Sequence, residues 1–286
     1  MVSFIILHYK NIEDTIECID SIKKINGKYK IIVVDNNTAN KDDETLLKNK
    51  CDDFIRLNEN MGFAKANNIG AQYAIEKYNP EFLIVSNNDI LIDDKYFIDK
   101  INEEYKKSKF DMLGPRINTL DGQSVNPFPV YKTKSDVINQ IEKTEKLIKI
   151  YNNVLLRNLF NLYMKTKYLF KEKRLVYNGE NREINIALHG CFIVFSKKYY
   201  KKYEHIFYNE TFLYHEEEFL YQRVLNDKLI SVYNPLIEVF HKEGASLDFN
   251  YHNNYKKLIF KNNEILKSLK LLVKYMEDYR GDLHDE

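Results

Sequence analysis

Residues 2 to 7, Val-Ser-Phe-Ile-Ile-Leu, form a compact apolar run that ends on His8-Tyr9 and reads as a short buried strand. From Ile12 onward apolar side chains recur at Ile16, Ile19, Ile22 and Ile25, the three-and-four spacing of one helical face. Asn11 is placed to cap that helix, and Asp14 sits in the first turn, where an acid is favoured. Gly27 ends it, and Tyr29 to Val34, rich in β-branched residues, predicts a second strand stopping at Asp35-Asn36-Asn37-Thr38. Strand, helix and strand in such a short span make a βαβ unit with parallel strands.

The alternation continues. A helix over Asp42 to Lys50 and a strand over Phe54 to Leu57 lead into the polar turn Asn58-Glu59-Asn60-Met61-Gly62. The next helix carries Phe63, Ala66, Gly70, Ala71 and Ala74 on one face, small enough to lie close to a sheet. Leu83 to Ser86 then completes a four-strand parallel pattern and runs straight into Asn87-Asn88-Asp89, followed by a helix from Asp94 to about Tyr105. Asp35 and Asp89 therefore fall at the carboxyl ends of parallel strands, the edge where open α/β sheets gather their chemistry. The residues alone leave Asn87-Asn88-Asp89 open between a strand-ending Asx turn and a loop that holds a divalent cation.

After Gly114-Pro115 the pattern changes. Residues 128 to 182 are helical in tendency and hold twelve Lys and Arg against five Asp and Glu, although the whole chain has a net charge of only +1. Interleaved with Leu155, Leu156, Leu159, Phe160, Leu162, Tyr163, Leu169 and Phe170, this excess fits either a solvated helix face or a surface resting on anionic lipid. Ala187-Leu188-His189-Gly190 and a strand from Cys191 to Phe195 follow. Phe212 to Phe219 contains Glu216, Glu217 and Glu218 at the start of a helix; the helix dipole favours acids there, and one of them also suits a general base. Strands at Leu229 to Tyr233 and Ile237 to Phe240 precede His241 to Ser246, and Tyr255 to Tyr279 is a long amphipathic helix with a lysine-rich polar face. Packing on the rest of the chain and lipid contact are its two readings.

Composition narrows the classes. With 286 residues, 44% hydrophobic and 30% charged, the chain has the make-up of a globular α/β protein. Cys18, Cys51 and Cys191 show neither metal-site nor disulfide spacing, which points to a reducing compartment. No signal-peptide pattern or membrane-length apolar run is present, so the expectation is a cytoplasmic protein with at most peripheral membrane contact at the inner face. G-x-G-x-x-G, Walker, H-E-x-x-H and G-x-S-x-G motifs are absent, and the charge excess alone gives nucleic-acid binding little support.

Five stretches in order carry a resemblance: Ile6-Leu7-His8-Tyr9-Lys10-Asn11; Ile32-Val33-Val34-Asp35-Asn36-Asn37; Asn60 to Gly70; Ser86-Asn87-Asn88-Asp89; and Phe212 to Glu217 with His241 and Gly244 behind it. Together they resemble the family 2 glycosyltransferases of the GT-A fold, in particular the rhamnosyltransferase-like branch that builds bacterial surface polysaccharides such as capsule and O-antigen. The resemblance implies an α/β fold with a mostly parallel central sheet flanked by helices, a helical insertion and a long C-terminal helix. It divides the chain into a catalytic domain at 1–246 and the C-terminal helix at 247–286. The catalytic domain comprises a nucleotide-binding half at 1–115, a basic insertion at about 128–182 and an acceptor half at 187–246.

The implied activity is an inverting transfer of a sugar from a nucleotide-diphosphate donor, dTDP-rhamnose or a UDP-hexose, to a hydroxyl of a growing glycan, lipid-linked in one version. Donor contacts would come from His8, Tyr9, Asp35, Asn60, Lys65, Asn88 and Asp89. Asp35 would accept hydrogen bonds from the nucleobase or ribose, and Lys65 would offset diphosphate charge. Asp89 matches the last acid of a metal-binding D-x-D and His241 a histidine that completes the site for Mg²⁺ or Mn²⁺. Glu217 falls at the base position with Glu216 beside it as the other catalytic carboxylate. Two departures stand out: Asn87 replaces the first acid of D-x-D, and the base is Glu rather than Asp. The alternative is a non-catalytic GT-A-like subunit that binds a nucleotide sugar or a partner, and the joint presence of Asp89, Glu217 and His241 argues against it. A nucleotidyltransferase or an NAD-dependent oxidoreductase is disfavoured because Leu7-His8-Tyr9-Lys10 offers no glycine-rich loop.

Overall fold

The computed structural model describes residues 1–120, 122, 124–131, 133–169, 179–242 and 255–278. Strands β1 (Val2–His8), β2 (Tyr29–Asp35), β3 (Asp53–Arg56) and β4 (Phe82–Asn87) lie in the order β3-β2-β1-β4, all parallel, as their apolar runs and intervening helices predict. Helices α1 (Ile12–Ile22), α2 (Lys41–Lys50) and α3 (Gly62–Tyr78) make the crossovers. Both faces of this sheet are buried, which is why its strands are apolar throughout rather than alternating. Phe4, Ile6, Val33 and Ile84 pack with Ile19 and Ile22 of α1 on one face. On the other, Ile5, Val34 and Val85 meet Ala64, Ala66, Ala71 and Ala74 of α3. A Cβ on Gly70 would come within 2.7 Å of the Ile5 and Val34 side chains, so α3 needs its small face to sit this close.

The second half extends the same sheet in mixed orientation. After β5 (Ile90–Leu91) and α4 (Phe97–Ser108), β6 (Met112–Thr119) pairs with β8 (Phe192–Ser196), which runs antiparallel to β4. The short β7 (Glu183–Ile184) and β5 both pair with β9 (Ser231–His241), giving nine strands among the described residues. The two strands expected at Leu229 to Tyr233 and Ile237 to Phe240 are one strand, β9, parallel to β6 with a register shift after Pro115. Pro115 and Pro235 lack the N–H that a continuous ladder requires, and the break in pattern they cause reads as a strand boundary.

A helical layer covers one end. It contains α5 (Lys134–Asn152), α6 (Val154–Leu169), α8 (Glu216–Asn226) and α9 (Tyr255–Asp278), while α7 (Lys197–Lys202) follows β8. Val137 of α5, Phe219 of α8 and Leu269, Leu272 and Tyr275 of α9 form one apolar cluster. Ion pairs Lys134–Glu277 (2.8 Å) and Lys270–Glu145 (2.9 Å) set α9 antiparallel to α5. The C-terminal helix thus docks on the insertion and on the helix that begins with the three glutamates. Helix α6 is different, with Leu155, Leu159 and Leu162 exposed by 75%, 65% and 63%. No described helix is long and apolar enough to cross a membrane. The expected Gly244 and its neighbours lie outside the described residues.

Candidate active site

The carboxyl edge of the parallel strands places His8, Asp35 and Arg56 side by side, since His8 pairs in register with Asp35 and Asp35 with Arg56. The Asp35 carboxylate is wholly buried. Its Oδ1 accepts from the Thr38 and Ala39 backbone N–H groups at 2.9 and 3.1 Å and lies 3.3 Å from the Thr38 hydroxyl, a turn that fixes the carboxylate plane. Its Oδ2 has no hydrogen-bond partner among the described residues. Thr15 donates its hydroxyl proton to the Asn11 carbonyl, so it accepts from His8 Nδ1–H at 2.7 Å, leaving the buried His8 Nε2 an acceptor with no hydrogen-bond partner among the described residues. Burial holds this imidazole below its ordinary pKa, against the pull of Asp35 and Asp43, which suits the neutral form. Tyr9 is exposed, and Lys10, in left-handed backbone, donates its N–H to Thr38 Oγ1 at 2.8 Å, joining the loops after β1 and β2.

The Asn87-Asn88-Asp89 loop divides its labour. Asn87 N–H donates to the Cys191 carbonyl at 2.8 Å, tying the end of β4 to the chain before β8. The Asn88 amide donates to the Asn11 carbonyl and to Thr15 Oγ1, so its side chain, expected to meet the donor, holds the loop to α1. Asp89 Oδ1 lies 3.1 Å from His241 Nε2. The pair is delivered by the β5–β9 ladder, in which Ile90 sits opposite His241. Among the described residues no group of three or more metal-ligating side chains occurs. A carboxylate oxygen beside an imidazole is nevertheless a fit donor pair for Mg²⁺ or Mn²⁺ when diphosphate and water oxygens complete the shell.

The three glutamates at the start of α8 face three ways, because successive helical residues rotate by about 100°. Glu216, expected as a catalytic partner of Glu217, is buried; burial first and the neighbouring Glu217 charge second hold its carboxyl well above the usual range. Glu218 is buried as well and accepts from the Tyr131 N–H at 3.2 and 3.3 Å, and burial pushes it up to about 8. Burial thus favours the protonated form of both. Glu217 is half-exposed and its Oε1 accepts from the Gly190 N–H at 3.0 Å. Since Gly190 adjoins Cys191, whose carbonyl holds Asn87, the Glu217 carboxylate and the Asp89 loop share one neighbourhood. Ahead of α8, Tyr214 and His215 both adopt left-handed backbone (φ 72° and 70°), a strained entry of the kind found at functional sites.

Several residues not singled out from the sequence hold these parts together. Asn36 donates to the Gly62 carbonyl and accepts from the Met61 N–H, and Asn60 accepts from the Gly62 N–H, so the expected donor residue Asn60 shapes the turn into α3. Gly62 has φ +78°, and a Cβ there would strike the Phe212 carbonyl oxygen at 2.2 Å, which itself accepts from the Phe63 N–H. Buried Asn68 bonds the Phe207 backbone on both sides, clamping α3 to the segment that leads to Glu217. Arg223, buried on α8, donates to the Tyr199 hydroxyl and the His205 and Ile206 carbonyls. Lys65 lines a cavity of about 450 Å³ with Met61, Asn68, Tyr73, His205 and Asn209. The run of Asn in the Asn60-to-Gly70 segment was the available signal for Asn68.

Residues 3–230 match the family model described as glycosyl transferase family 2. Over 131 residues the chain is 31% identical to the low-salt glycan biosynthesis hexosyltransferase Agl10 of Haloferax volcanii, covering 44% of this chain and 40% of that protein. Among solved structures, GalNAc-T7 with UDP, GalNAc and Mn²⁺ superposes with a TM-score of 0.53 at 15% identity, over 85% of this chain and 44% of that one. TarS 1–349 of S. aureus gives a TM-score of 0.49 at 14% identity over 97% and 72%. The mostly parallel sheet flanked by helices is the fold shared with GalNAc-T7.

Proposed function

Because the chain belongs to glycosyl transferase family 2, we propose that it transfers a sugar from a nucleotide-diphosphate donor to a glycan hydroxyl with inversion, using Glu217 as the base. The observation that carries this reading is that a half-exposed carboxylate, Glu217, bonds Gly190 next to Cys191, whose carbonyl anchors Asn87 at the head of the loop that pairs Asp89 with His241. Glu217 takes the proton from the acceptor hydroxyl, and Gly190 N–H orients the carboxylate without supplying charge. The acceptor oxygen then attacks the anomeric carbon from the face opposite the leaving nucleoside diphosphate, through a transition state with oxocarbenium character. Asp89 and His241 are the residues that would hold Mg²⁺ or Mn²⁺, which when bound stabilises charge on the departing diphosphate. Asp35 accepts from the base. The donor is dTDP-rhamnose or a UDP-hexose, and the product a surface glycan of the polysaccharide class.

A lipid-linked acceptor is favoured by α6, whose exposed Leu155, Leu159 and Leu162 stand on a helix with Arg157, Lys165 and Lys167 and no acidic residue. Exposed leucines on a helix whose sequence has basic and no acidic residues suit the surface of an anionic bilayer. The test of the main reading is a thermal-shift panel of nucleotide sugars with and without Mn²⁺, since a bound donor raises Tm by mass action. A Tm rise with a uridine or thymidine diphospho-sugar, enhanced by Mn²⁺, is expected. No response to any donor would refute it.

A further inference from the structure

One face of the C-terminal helix α9 grips the turn that leads into Glu217. Lys261, Ser268 and Tyr275 are spaced by seven residues, close to two helical turns, and so share that face. Lys261 Nζ stands 5.6 Å from the centre of the Tyr214 ring, Ser268 Oγ donates to the Leu213 carbonyl at 3.0 Å, and the Tyr275 ring lies 5.1 Å from that of Phe219 on α8. Phe212 to His215 are half-buried, belong to neither helix nor strand, and include the two left-handed residues ahead of the glutamates. Two carbonyls of this turn are held from outside it: that of Phe212 by Phe63 N–H of α3 at 2.7 Å, and that of Leu213 by Ser268. Phe212 and Ser268 also line a cavity of about 740 Å³, so packing alone does not close the turn in on the side of α9.

We infer that Ser268 is a positioning residue for the transfer reaction, fixing from α9 the turn that aims Glu217. The inference rests on the reading of Glu217 as the base and goes beyond it. Ser268 is 2% exposed in the middle of a helix, where alanine is the better helix former. A hydroxyl in that setting ordinarily bonds the carbonyl of its own helix four residues back, as Thr45, Ser108 and Thr144 do in this chain. Ser268 instead sends its one proton across to Leu213, four residues ahead of the base. Glu217 is held at its carboxylate by Gly190 N–H, so its approach to a hydroxyl depends on where the start of α8 sits. The Phe63 and Ser268 bonds set that start between α3 and α9, and Lys261 over Tyr214 covers the strained residue between Leu213 and His215.

The test compares the full chain as wild type, Ser268→Ala, Lys270→Ala, Glu217→Gln and the Ser268→Ala/Glu217→Gln double variant. Ser268→Ala deletes one oxygen and raises helix propensity, so α9 keeps its place. Hydrogen–deuterium exchange reads the turn: Ser268→Ala should speed exchange over residues 212–217 by about fivefold or more and leave β1 to β4 unchanged. Turnover is read as nucleoside diphosphate released with Mn²⁺ from dTDP-rhamnose, UDP-glucose or UDP-N-acetylglucosamine, whichever the wild type consumes fastest. Ser268→Ala should lower kcat and kcat/KM together by about tenfold with donor KM unchanged, because only the placement of the base is lost. On top of Glu217→Gln it should cost less than about twofold. Lys270→Ala removes the ion pair between α9 and Glu145 of α5 but keeps the Ser268 bond, so it should leave kcat unchanged. Unchanged exchange over 212–217, full kcat in Ser268→Ala, an equal loss in Lys270→Ala, or an undiminished further loss on top of Glu217→Gln overturns the positioning role. Wild-type kcat in Glu217→Gln overturns the base reading itself, and the inference falls with it.

Discussion

Gly190→Ala separates the placement of the base from its chemistry. The added Cβ would lie 2.9 Å from Glu217 Oε1, 3.4 Å from its Cδ and 3.8 Å from its Cγ, and these are the nearest atoms it meets. Ordinary contact begins near 3.4 Å, so the carboxylate oxygen has to retreat by about 0.5 Å. That displacement lengthens the 3.0 Å hydrogen bond from Gly190 N–H that aims the carboxylate. The clash falls on the far end of a flexible side chain, and Gly190 is not among the glycines with positive φ, so the fold has little to lose. A misplacement of about 1 Å in a reacting group costs on the order of 100-fold, so half that distance predicts a fall in kcat of about tenfold. Glu217→Gln sets the scale: it keeps the acceptor for Gly190 N–H but removes the base, with an expected loss of about 100- to 10,000-fold in kcat and little change in donor affinity. The assay is steady-state transfer with kcat and KM measured separately, alongside thermal melting. Since both changes act through one carboxylate, Gly190→Ala added to Glu217→Gln should cost almost nothing more. Full kcat in Gly190→Ala, or a double variant much worse than Glu217→Gln, would refute the placement of Glu217.

Asp89→Ala removes the carboxylate beside His241 and should weaken Mn²⁺-dependent binding of UDP by about tenfold or more, measured by titration calorimetry, while binding in EDTA changes little. Glu218 keeps its proton to about pH 8 in the folded chain against 4.5 for an ordinary glutamate, so the folded state binds the extra proton across that window and stability falls as pH rises through it. Glu218→Gln should flatten the decline of unfolding free energy by about 1.4 kcal/mol per pH unit, read from denaturant melts, and an unchanged slope would exclude a protonated Glu218. Leu155→Glu with Leu159→Glu should abolish co-sedimentation with phosphatidylserine-containing vesicles and leave transfer to a soluble acceptor intact; wild type that stays in the supernatant with such vesicles would remove the lipid role of α6.

The parallel half of the fold is legible in the sequence because strands buried on both faces must be apolar without interruption, and Phe4 to Leu7, Ile31 to Val34 and Leu83 to Val85 meet that condition. Asp35 and Asp89 follow from the same pattern, since polarity returns where the strands reach the edge. The division among Glu216, Glu217 and Glu218 was not legible. Three adjacent acids point in three directions on a helix, and only their partners, the Gly190 and Tyr131 N–H groups and the core around Thr211, decide which faces solvent. The same holds for Asn88: its amide nitrogen bonds the Asn11 carbonyl and the Thr15 hydroxyl, partners brought to it by a helix far away in sequence. Arg56 closed a strand of ordinary appearance, and nothing before the β2–β3 register revealed that it faces Asp35.

Asn87 in the place of an acid is consistent with how the loop is anchored. The Asn87 N–H is bound to the Cys191 carbonyl, its own carbonyl accepts from Ser86 Oγ, and Asn88 is held by α1, so the backbone up to Asp89 is set by neighbours on both sides. The second ligand-type group then arrives from another strand altogether. Lys242 N–H donates to the Asp89 carbonyl at 3.0 Å, and the β5–β9 pairing brings His241 to the carboxylate. A loop with two acids carries both charges on one flexible segment, where like charges repel until a cation binds. Here one charge is paired with an imidazole across a hydrogen-bonded ladder, and the geometry is set by strand register rather than by loop conformation. The physical consequence is that the position of His241, and with it β9, would control the proposed cation site as much as Asp89 does. Displacement of the β5–β9 pairing is expected to disable that proposed site with Asp89 and His241 both still present.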